Sequence, residues 1–323
     1  MKKFTLLWHA PWHEEGLGFE EGILKAQWPD MEVTCLEARS KAEMLRLLPE
    51  ADGLVISELS PLDRETLNHF ERCKFIVTQT MGLDHIDMDA ARERGLIVVN
   101  LPDYCLEEVS DHALALILGA LRHIPVYDRQ IHSGIWDVTS CPAPKKFKDT
   151  VLGFAGFGRL GQLTARKAGS VFTQIIAYDP FMNKDAAAAL GVTPVNSLEE
   201  LFSEADVVSL HIPATPQTEK MVNAKLLALV KPGFCLVNTG RGKLVDEPAL
   251  RDALVSGRVR IAALDVLTHE PPEEGNPLVG LENAIITPHV AWRSDQTNNT
   301  LRELSALEAG RILSGEGAKN VVK

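Results

Sequence analysis

The stretch that decides the fold is VLGFAGFGRLGQLTARKAG, residues 151–169. It begins with an apolar run typical of a buried strand and ends in a pattern typical of a helix. Between the two, Gly156, Gly158 and Gly161 form the spacing G-x-G-x-x-G. In such a strand–turn–helix unit the first glycine permits a tight turn, the second lets a pyrophosphate approach the backbone, and the third lets the helix pack closely on the strand. The sequence therefore predicts a dinucleotide-binding turn.

The next apolar strand, IIAYD at 175–179, indicates which dinucleotide is bound. Backbone amides near Arg159 and Leu160, at the start of the helix, are expected to face the pyrophosphate. Asp179 closes the strand, where a carboxylate accepts hydrogen bonds from both ribose hydroxyls and repels a 2′-phosphate. The three residues after Asp179, Pro-Phe-Met, supply no compensating cation. We therefore expect NAD, rather than NADP, as the cofactor.

Strands and helices alternate on both sides of this unit. Helical patterns occur around 41–48, after Pro61, and at 88–94, where Asp87 is placed to cap the helix. This alternation predicts an α/β fold with two doubly wound parallel-sheet domains. The other apolar runs are KFTLLW (3–8), GLVIS (53–57), KFIVTQ (74–79), LIVVN (96–100), DVVSLHIP (206–213), FCLVNTG (234–240), IAALDVL (261–267) and AIITPHVA (284–291).

The predicted domains are discontinuous along the chain. Residues 1–101 and 291–323 are expected to form a flavodoxin-like substrate domain, with a Rossmann NAD-binding domain at 102–290 inserted in it and the active site in the cleft. The segment 104–122 is apolar on more than one face, which is typical of a helix at a domain or subunit interface and suggests a homodimer. The segment 294–313 has helical periodicity and is expected to return to the first domain.

Composition limits the classes of function. The 323 residues are 45% hydrophobic and 24% charged, enough for two cores, and 33 basic against 44 acidic side chains give a formal charge of −11. This balance argues against nucleic acid as a partner. The start, MKKFTLLWHAPWHEEG, has too short an apolar run for a signal peptide or a membrane span, so we expect a cytoplasmic protein with no membrane partner. The five widely spaced cysteines predict reduced thiols and no structural metal.

Three polar side chains follow predicted strands of the second domain: Arg241, Glu270 and His289. Taken singly, they also fit a surface ion pair, a solvated acid and an ordinary loop histidine. Ligands of open α/β sheets bind beyond the carboxyl ends of the strands. We therefore expect the three side chains to converge on the nicotinamide.

Longer motifs around these residues resemble the D-isomer-specific 2-hydroxyacid dehydrogenase family over nearly the whole chain. The resemblance implies that Arg241 holds the carboxylate and carbonyl of the substrate, that His289 is the acid/base and that Glu270 is its partner. It also implies that Asp265 lies near the nicotinamide carboxamide and that the Gly82 amide binds the substrate carboxylate. The motifs are MGLDHID (81–87), VNTGRGKLVDEPALRDAL (237–254), ALDVLTHEPP (263–272) and TPHVAW (287–292), with the glycine turn upstream of the second.

These residue types suit the implied reaction, which is NADH-linked reduction of a small 2-oxo acid or its reverse. Hydride transfer to the carbonyl carbon requires a proton for the developing alkoxide, and histidine titrates near working pH. Glu270 favours the imidazolium form and orients the ring. The planar fork of Arg241 binds a carboxylate at two points.

Two alternatives remain open at this point. Segments 101–118 and 287–296 are most similar to a branch related to the C-terminal-binding protein corepressors, in which a tryptophan like Trp292 lines the substrate pocket; Trp292 as a core aromatic is equally open. An NAD-sensing, corepressor-like regulator is therefore one alternative, although intact Arg241, Glu270 and His289 favour an enzyme. A 3-phosphoglycerate dehydrogenase is the other.

The loop after GLVIS bears on the second alternative. Phosphoglycerate dehydrogenases of the family present arginine there, whereas residues 57–61 read SELSP and the first cation is Arg64. A phosphate needs such a cation. We therefore expect an unphosphorylated substrate, with Leu59 and Trp292 as candidate pocket walls.

Some clusters of polar residues resemble catalytic or metal sites of other protein classes. Ser110-Asp111-His112 has the letters of a hydrolytic triad, but consecutive helical residues point about 100° apart and cannot form the relay. The run DHIDMD (84–89) has metal-binding residue types, but helix capping by Asp87 explains it better. A structural role is expected for His211.

Overall fold

The computed structural model describes residues 2–9 and 16–322. The strands are β1 (Lys2–His9), β2 (Met31–Ala38), β3 (Gly53–Ile56), β4 (Phe75–Thr78), β5 (Ile97–Val99), β6 (Val151–Ala155), β7 (Gln174–Tyr178), β8 (Val192–Pro194), β9 (Val207–Leu210), β10 (Phe234–Asn238), β11 (Val259–Leu264), β12 (Ala284–Ile286) and β13 (Val321–Val322). The helices are α1 (Gly18–Gln27), α2 (Lys41–Leu47), α3 (Arg64–Leu67), α4 (Met88–Glu93), α5 (Leu106–Leu121), α6 (Ile124–His132), α7 (Arg159–Ala168), α8 (Lys184–Ala189), α9 (Leu198–Glu204), α10 (Ala224–Leu227), α11 (Glu247–Val255) and α12 (Thr297–Ser314).

These elements group into two compact units. The first contains the residues up to Cys105 and those from Ser294 onward, and the second spans Leu106–Arg293. The domain boundaries expected from the sequence, after residues 101 and 290, lie within a few residues of these limits. Among the described residues, no helix combines the length and the apolar character needed to cross a membrane.

The sheet of the first unit has the strand order β13-β5-β4-β3-β1-β2. Strands β1 to β5 are parallel, and β13 joins the edge antiparallel to β5. The order 2-1-3-4-5 is the flavodoxin-like one, which reverses between β1 and β3. The carboxyl ends of these two strands therefore border the ligand-binding edge of this unit.

The sheet of the second unit has the order β12-β11-β10-β9-β6-β7-β8 with parallel pairing throughout. From β6 the chain moves outward to β8, then returns to β9 and moves outward to β12, so the order reverses between β6 and β9. This reversal is the switch point at which Rossmann sheets bind ligands. The predicted fold class, two doubly wound α/β sheets, is confirmed.

The core of the second unit explains the apolar character of α5. Its side chains Leu116, Ile117 and Ala120 are buried in one layer with Phe154 of β6 and Val237 of β10. The fully buried apolar residues of α5 repeat every three to four positions along one face, and Leu114, Leu118 and Leu121 beside that face are only partly buried. The prediction that this helix is buried on several sides is therefore not confirmed. Its composition is therefore accounted for within its own unit.

In the first unit, the C-terminal helix α12 packs on the sheet through Ala306, Ala309 and Leu313. Near its N-terminal end, Arg302 forms a buried, two-pronged ion pair with Glu20 of α1, with N···O distances of 2.6 and 2.7 Å. Such paired geometry satisfies two charges that are costly to bury alone. The segment that returns after the second unit thus completes the core of the first.

Local capping follows the sequence signals. Asp87 accepts a hydrogen bond from the Ala90 N–H at 2.8 Å and begins α4, which ends at Glu93 rather than at residue 94. Asp63 caps α3 in the same way through the Thr66 N–H at 2.7 Å. Both short helices therefore begin where a side-chain oxygen satisfies an unpaired backbone amide.

Candidate active site

The glycine turn between β6 and α7 is packed at two of its glycines and open at the third. Gly156 has a φ of +92°, which favours glycine, and a Cβ there would lie 2.4 Å from the His211 carbonyl oxygen. A Cβ on Gly161 would lie 2.6 Å from the carbonyl oxygen of Gly156. Around the Cβ position of Gly158, no described atom lies within 4 Å. The turn therefore has room beside its backbone only at the glycine predicted to face a phosphate.

The first residues of α7 are Arg159 and Leu160, directly after Gly158 at the N-cap position. The N-cap residue, Gly158, has no side chain with which to cap this ten-residue helix. The helix N-terminus carries a partial positive charge and unpaired N–H groups, which together attract anions. This end of α7 is suited to the pyrophosphate of a dinucleotide.

Asp179 follows β7 and binds back to the glycine turn. Its Oδ2 accepts a hydrogen bond from the Phe157 N–H at 2.7 Å, and its Oδ1 accepts one from the Phe181 N–H at 2.7 Å. An ionised carboxylate has about four lone-pair sites. Both oxygens therefore retain capacity for further donors, such as ribose hydroxyls, while the carboxylate is held in place.

His211 follows β9, on the other side of the switch point. Its Nε2 lies 2.9 Å from the Ser209 hydroxyl, and burial lowers its pKa to about 4. The ring is therefore neutral in the physiological range. Its backbone carbonyl is the group that leaves no room for a side chain at Gly156.

The structure brings His289 and Glu270 into direct contact in the second unit. His289 Nδ1 lies 2.6 Å from Glu270 Oε2, and Glu270 Oε1 accepts a hydrogen bond from the Leu267 N–H at 2.9 Å. The two side chains are 39% and 35% exposed. Among the described residues Nε2 of His289 has no partner, so this nitrogen is the one available to a substrate.

The charge state of the pair follows from competing influences on each pKa. Burial is the largest influence, lowering the pKa of His289 and raising that of Glu270. The hydrogen bond and the attraction between the two charges outweigh burial, so the pKa of His289 is raised and that of Glu270 lowered. The nearby positive charge of Arg241 lowers both. The pair therefore favours an imidazolium beside a carboxylate.

We expect the substitution Glu270→Gln to lower the pKa of His289. The amide removes the anion, while burial and Arg241, which both lower this pKa, remain. An NMR titration of the His289 ring measures the change. Glu273→Gln is the matched control, because this exposed acid contacts His269 at 3.7 Å. A His289 pKa that stayed constant or rose in Glu270→Gln would contradict the expectation.

Arg241 stands in the loop after β10, against the segment that carries Glu270. The next residue, Gly242, has no room for a side chain, because a Cβ there would lie 1.9 Å from the Leu267 carbonyl carbon. The Asn238 side-chain amide donates to the Arg241 carbonyl at 2.9 Å and fixes the turn. Close backbone approach at Gly242 is thus what places the guanidinium near the His289–Glu270 pair.

Asp265, whose side chain is fully buried, holds the backbone around His289. Its carbonyl oxygen accepts from the His289 N–H at 2.8 Å, its Oδ1 from the Val290 N–H at 3.0 Å and its Oδ2 from the Ala291 N–H at 2.9 Å. His289 has a φ of +51°, in the sparsely populated left-handed region. Asp265 therefore fixes the strained loop that carries His289, a role that the sequence did not predict.

The two other predicted substrate contacts lie in loops. Gly82, in the first unit, follows β4; its carbonyl accepts from the Thr80 hydroxyl at 2.6 Å, and the preceding carbonyl of Met81 accepts from the Asn100 amide at 2.7 Å. Trp292, in the second unit, follows Ala291 and is partly exposed. Both contacts with substrate stay predictions.

The triad-like run on α5 has three separate sets of partners. The Ser110 hydroxyl donates to the Glu107 carbonyl at 2.9 Å, and Asp111 pairs with Lys167 at 2.6 Å. His112 instead contacts Thr287 at 3.2 Å. The side chains point in different directions, as expected for consecutive residues of a helix.

Comparison with known proteins gives the family. Residues 114–291 match the family model described as D-isomer specific 2-hydroxyacid dehydrogenase, NAD binding domain. The chain is 36% identical over 312 residues to a D-3-phosphoglycerate dehydrogenase of Methanocaldococcus jannaschii, covering 97% of this chain and 58% of that protein. It is 35% identical over 286 residues to a glyoxylate reductase of Korarchaeum cryptofilum, covering 88% of this chain and 86% of the reductase.

Solved structures agree with this assignment. The D-lactate dehydrogenase of Aquifex aeolicus, solved in complex with NAD and lactic acid, superposes with a TM-score of 0.86 at 28% identity and covers 98% of each chain. The present chain spans little more than half the length of the phosphoglycerate dehydrogenases that it matches.

Proposed function

The chain belongs to the D-isomer-specific 2-hydroxyacid dehydrogenase family and contains its NAD-binding domain. From this premise we propose that it transfers a hydride between NAD(H) and a small, unphosphorylated D-2-hydroxy acid or 2-oxo acid. The observation that supports this most directly is the His289–Glu270 pair beside the positive charge of Arg241. It combines a proton donor with a cation suited to a carboxylate substrate.

When bound, the reduced nicotinamide supplies the hydride. Arg241 binds the substrate carboxylate and carbonyl oxygen through its guanidinium and stabilises the negative charge that develops on that oxygen. His289, whose Nδ1 is occupied by Glu270, donates the proton from Nε2 to the same oxygen. In the oxidation direction, neutral His289 accepts the hydroxyl proton at Nε2. Glu270 stabilises the imidazolium form in both directions.

A purely regulatory, NAD-sensing protein would not need this proton donor. The contact with Glu270 raises the pKa of His289, which favours the charged ring that can donate a proton. The presence of such a proton donor favours an enzyme that turns over substrate rather than a protein that only senses the cofactor.

An assay of NADH consumption with glyoxylate, hydroxypyruvate, pyruvate, phenylpyruvate and oxaloacetate tests the proposal. We expect reduction of at least one of them with a kcat/KM of at least about 10⁴ M⁻¹ s⁻¹, the lower end for efficient enzymes. Binding of NADH without turnover of any 2-oxo acid would favour the regulatory alternative instead.

We further expect hydroxypyruvate to be used at least about tenfold more efficiently than its 3-phosphate, a difference of about 1.4 kcal/mol. In the loop after β3, Leu59 is exposed and the sequence offers Glu58 but no cation. The first cation, Arg64, is held by Glu93 through Nη1 and Nη2 at 2.5 and 3.2 Å. A dianionic phosphate therefore lacks a partner in this loop.

Comparing kcat/KM for the two compounds on one preparation measures this preference. Because relatives named D-3-phosphoglycerate dehydrogenase match the chain well, the comparison separates two activities within the family. A clear advantage for the phosphorylated compound would contradict the proposed substrate class.

A homodimer and a cytoplasmic location are also part of the proposal. Apolar side chains cluster on α6 and the segment after it, with Trp136 86% and Val138 81% exposed and with Ile124, Ile131 and Ile135 nearby in sequence. Exposed apolar surface of this kind is typical of protein interfaces. The five cysteines all lie among the described residues and none of them forms a disulfide, which suits a reducing compartment. Sedimentation analysis measures the oligomeric state, and a monomer would contradict the first part.

A further inference from the structure

His112 is a titratable side chain that the proposed reaction does not use. It lies on α5, and its Nε2 is 3.2 Å from Thr287 Oγ1 and 3.5 Å from Asp265 Oδ1. The His112 side chain is 24% exposed, whereas that of Asp265 is fully buried. The contact therefore links a helix of the second unit to the loop that carries His289.

The direction of the hydrogen bonds follows from the number of available protons. The Thr287 hydroxyl lies 2.5 Å from Asp265 Oδ1, and an ionised carboxylate only accepts. The single hydroxyl proton of Thr287 therefore points at Asp265. Thr287 Oγ1 then has only lone pairs to offer, so Nε2 of His112 must carry the proton that it donates.

The same carboxylate fixes the backbone that carries His289. Asp265 accepts the N–H groups of His289, Val290 and Ala291 on its carbonyl oxygen, Oδ1 and Oδ2, respectively. Oδ1 thus receives both the Val290 amide and the Thr287 hydroxyl. A change in the orientation of Thr287 would change the position of Oδ1 and, through it, the loop. This loop has a strained residue at its centre, because His289 has a φ of +51°.

We propose that His112 is a positioning residue for His289, acting through Thr287 and Asp265. It orients the Thr287 hydroxyl, which orients the Asp265 carboxylate. That carboxylate accepts the N–H groups of Val290 and Ala291, the two residues directly after His289. His112 does not touch the His289–Glu270 pair, so its effect is on geometry rather than on proton transfer. The proposal rests on the proposed function for its kinetic consequence only.

The test compares His112→Gln with His112→Leu. The side-chain amide of Gln donates a hydrogen bond from a position similar to Nε2, whereas Leu has similar size and no donor. Asp111→Asn is the matched control, because it alters the neighbouring position of α5, an exposed ion pair with Lys167. Thermal unfolding of all variants identifies any that fail to fold.

We expect kcat for 2-oxo acid reduction to fall about 10- to 100-fold in His112→Leu, since a displacement of about 1 Å at a reacting group can cost about 100-fold. The KM of the 2-oxo acid should change less than about threefold, because Arg241 is not affected. His112→Gln should restore most of the kcat with an unchanged pH profile. Equal losses in the Gln and Leu variants, or a changed pH profile in His112→Gln, would overturn the proposal.

A second measurement does not depend on activity. His289 Nδ1 lies 2.6 Å from Glu270 Oε2, and the proton between these atoms gives an NMR signal. In the protein without substrate, this signal reports the geometry of the loop. We expect this signal to be lost or shifted in His112→Leu and retained in His112→Gln and Asp111→Asn. An unchanged signal in a folded His112→Leu variant would overturn the positioning role. If the unmodified protein reduces no 2-oxo acid, the proposed function fails while this measurement still decides on His112.

Discussion

In the variant His289→Ala, kcat for reduction of a 2-oxo acid is expected to fall by about 10² to 10⁴, while NADH still binds. A general acid positioned to donate a proton in the transition state accelerates the reaction by about this factor. Nε2 of His289 is the nitrogen left available by the 2.6 Å contact between Nδ1 and Glu270. The cofactor contacts expected at the glycine turn and Asp179 do not involve His289, so affinity for NADH should be retained.

Single-turnover absorbance measures the chemical step, and fluorescence titration measures NADH binding. His289→Asn is a useful second variant, because asparagine tolerates the positive φ at this position better than most residues and preserves the loop. His269→Ala is the control, since His269 is an exposed histidine next to Glu270 in sequence and lies 3.7 Å from Glu273. A kcat that survives in both His289 variants would refute the acid/base assignment.

The glycine turn is the part of the site that the sequence predicts best. Its strand, turn and helix are contiguous, so the whole unit is encoded in residues 151–169. The positive φ of Gly156 and the lack of space at Gly161 are local consequences of that encoding. The ribose-binding role expected for Asp179 is also predicted from its position alone, because Asp179 directly follows the adjacent parallel strand.

The contact between the two members of the acid/base pair does not follow from sequence patterns alone. Glu270 and His289 are separated by a strand and a turn, and no periodicity brings their side chains together. The resemblance to a family suggested the pairing, and the structure provides its geometry. Asp265 was predicted as a cofactor contact, but its hold on the backbone of His289, Val290 and Ala291 had no sequence signal.

His112 shows why longer-range contacts escape prediction. It stands on an apolar helix far from Thr287 in sequence, and only the packing of α5 on the second sheet brings the two together. Its one sequence signal was its place in the run Ser110-Asp111-His112, which has the letters of a hydrolytic triad and which helical geometry excludes as one.

Three strands were also missed, and each lies at a sheet edge: β2, β8 and β13. β8 and β13 have three and two residues, too few for an alternating pattern. β2 includes Glu32 and Glu37 and is only partly covered, so its apolar signal is weak. Edge strands need less apolar surface than central ones, and their place is decided by pairing with a neighbour that the sequence does not reveal.

The substitution Asp179→Ala is expected to reduce the preference for NADH over NADPH, measured as the ratio of the two kcat/KM values, by about 10- to 100-fold. A hydrogen bond to a charged group contributes about 1.5 to 3 kcal/mol, and about 1.4 kcal/mol corresponds to tenfold. Loss of the ribose contacts weakens the binding of NADH. Loss of the negative charge removes the repulsion of the 2′-phosphate of NADPH.

Asp179 also holds the glycine turn through the Phe157 amide at 2.7 Å, so alanine alone would confound two effects. Asp179→Asn reduces this confounding, because its single side-chain oxygen can still accept from the Phe157 amide while the charge is removed. The second hydrogen bond, from the Phe181 amide to Oδ1, is lost in both variants. We expect kcat/KM with NADPH to rise in Asp179→Asn. We expect kcat/KM with NADH to fall less in Asp179→Asn than in Asp179→Ala. Asp185→Asn, an exposed acid in the first turn of α8, is the control and should leave the ratio unchanged. An unmodified protein that works better with NADPH, or an Asp179→Asn variant with an unchanged ratio, would mean that another part of the site selects the cofactor.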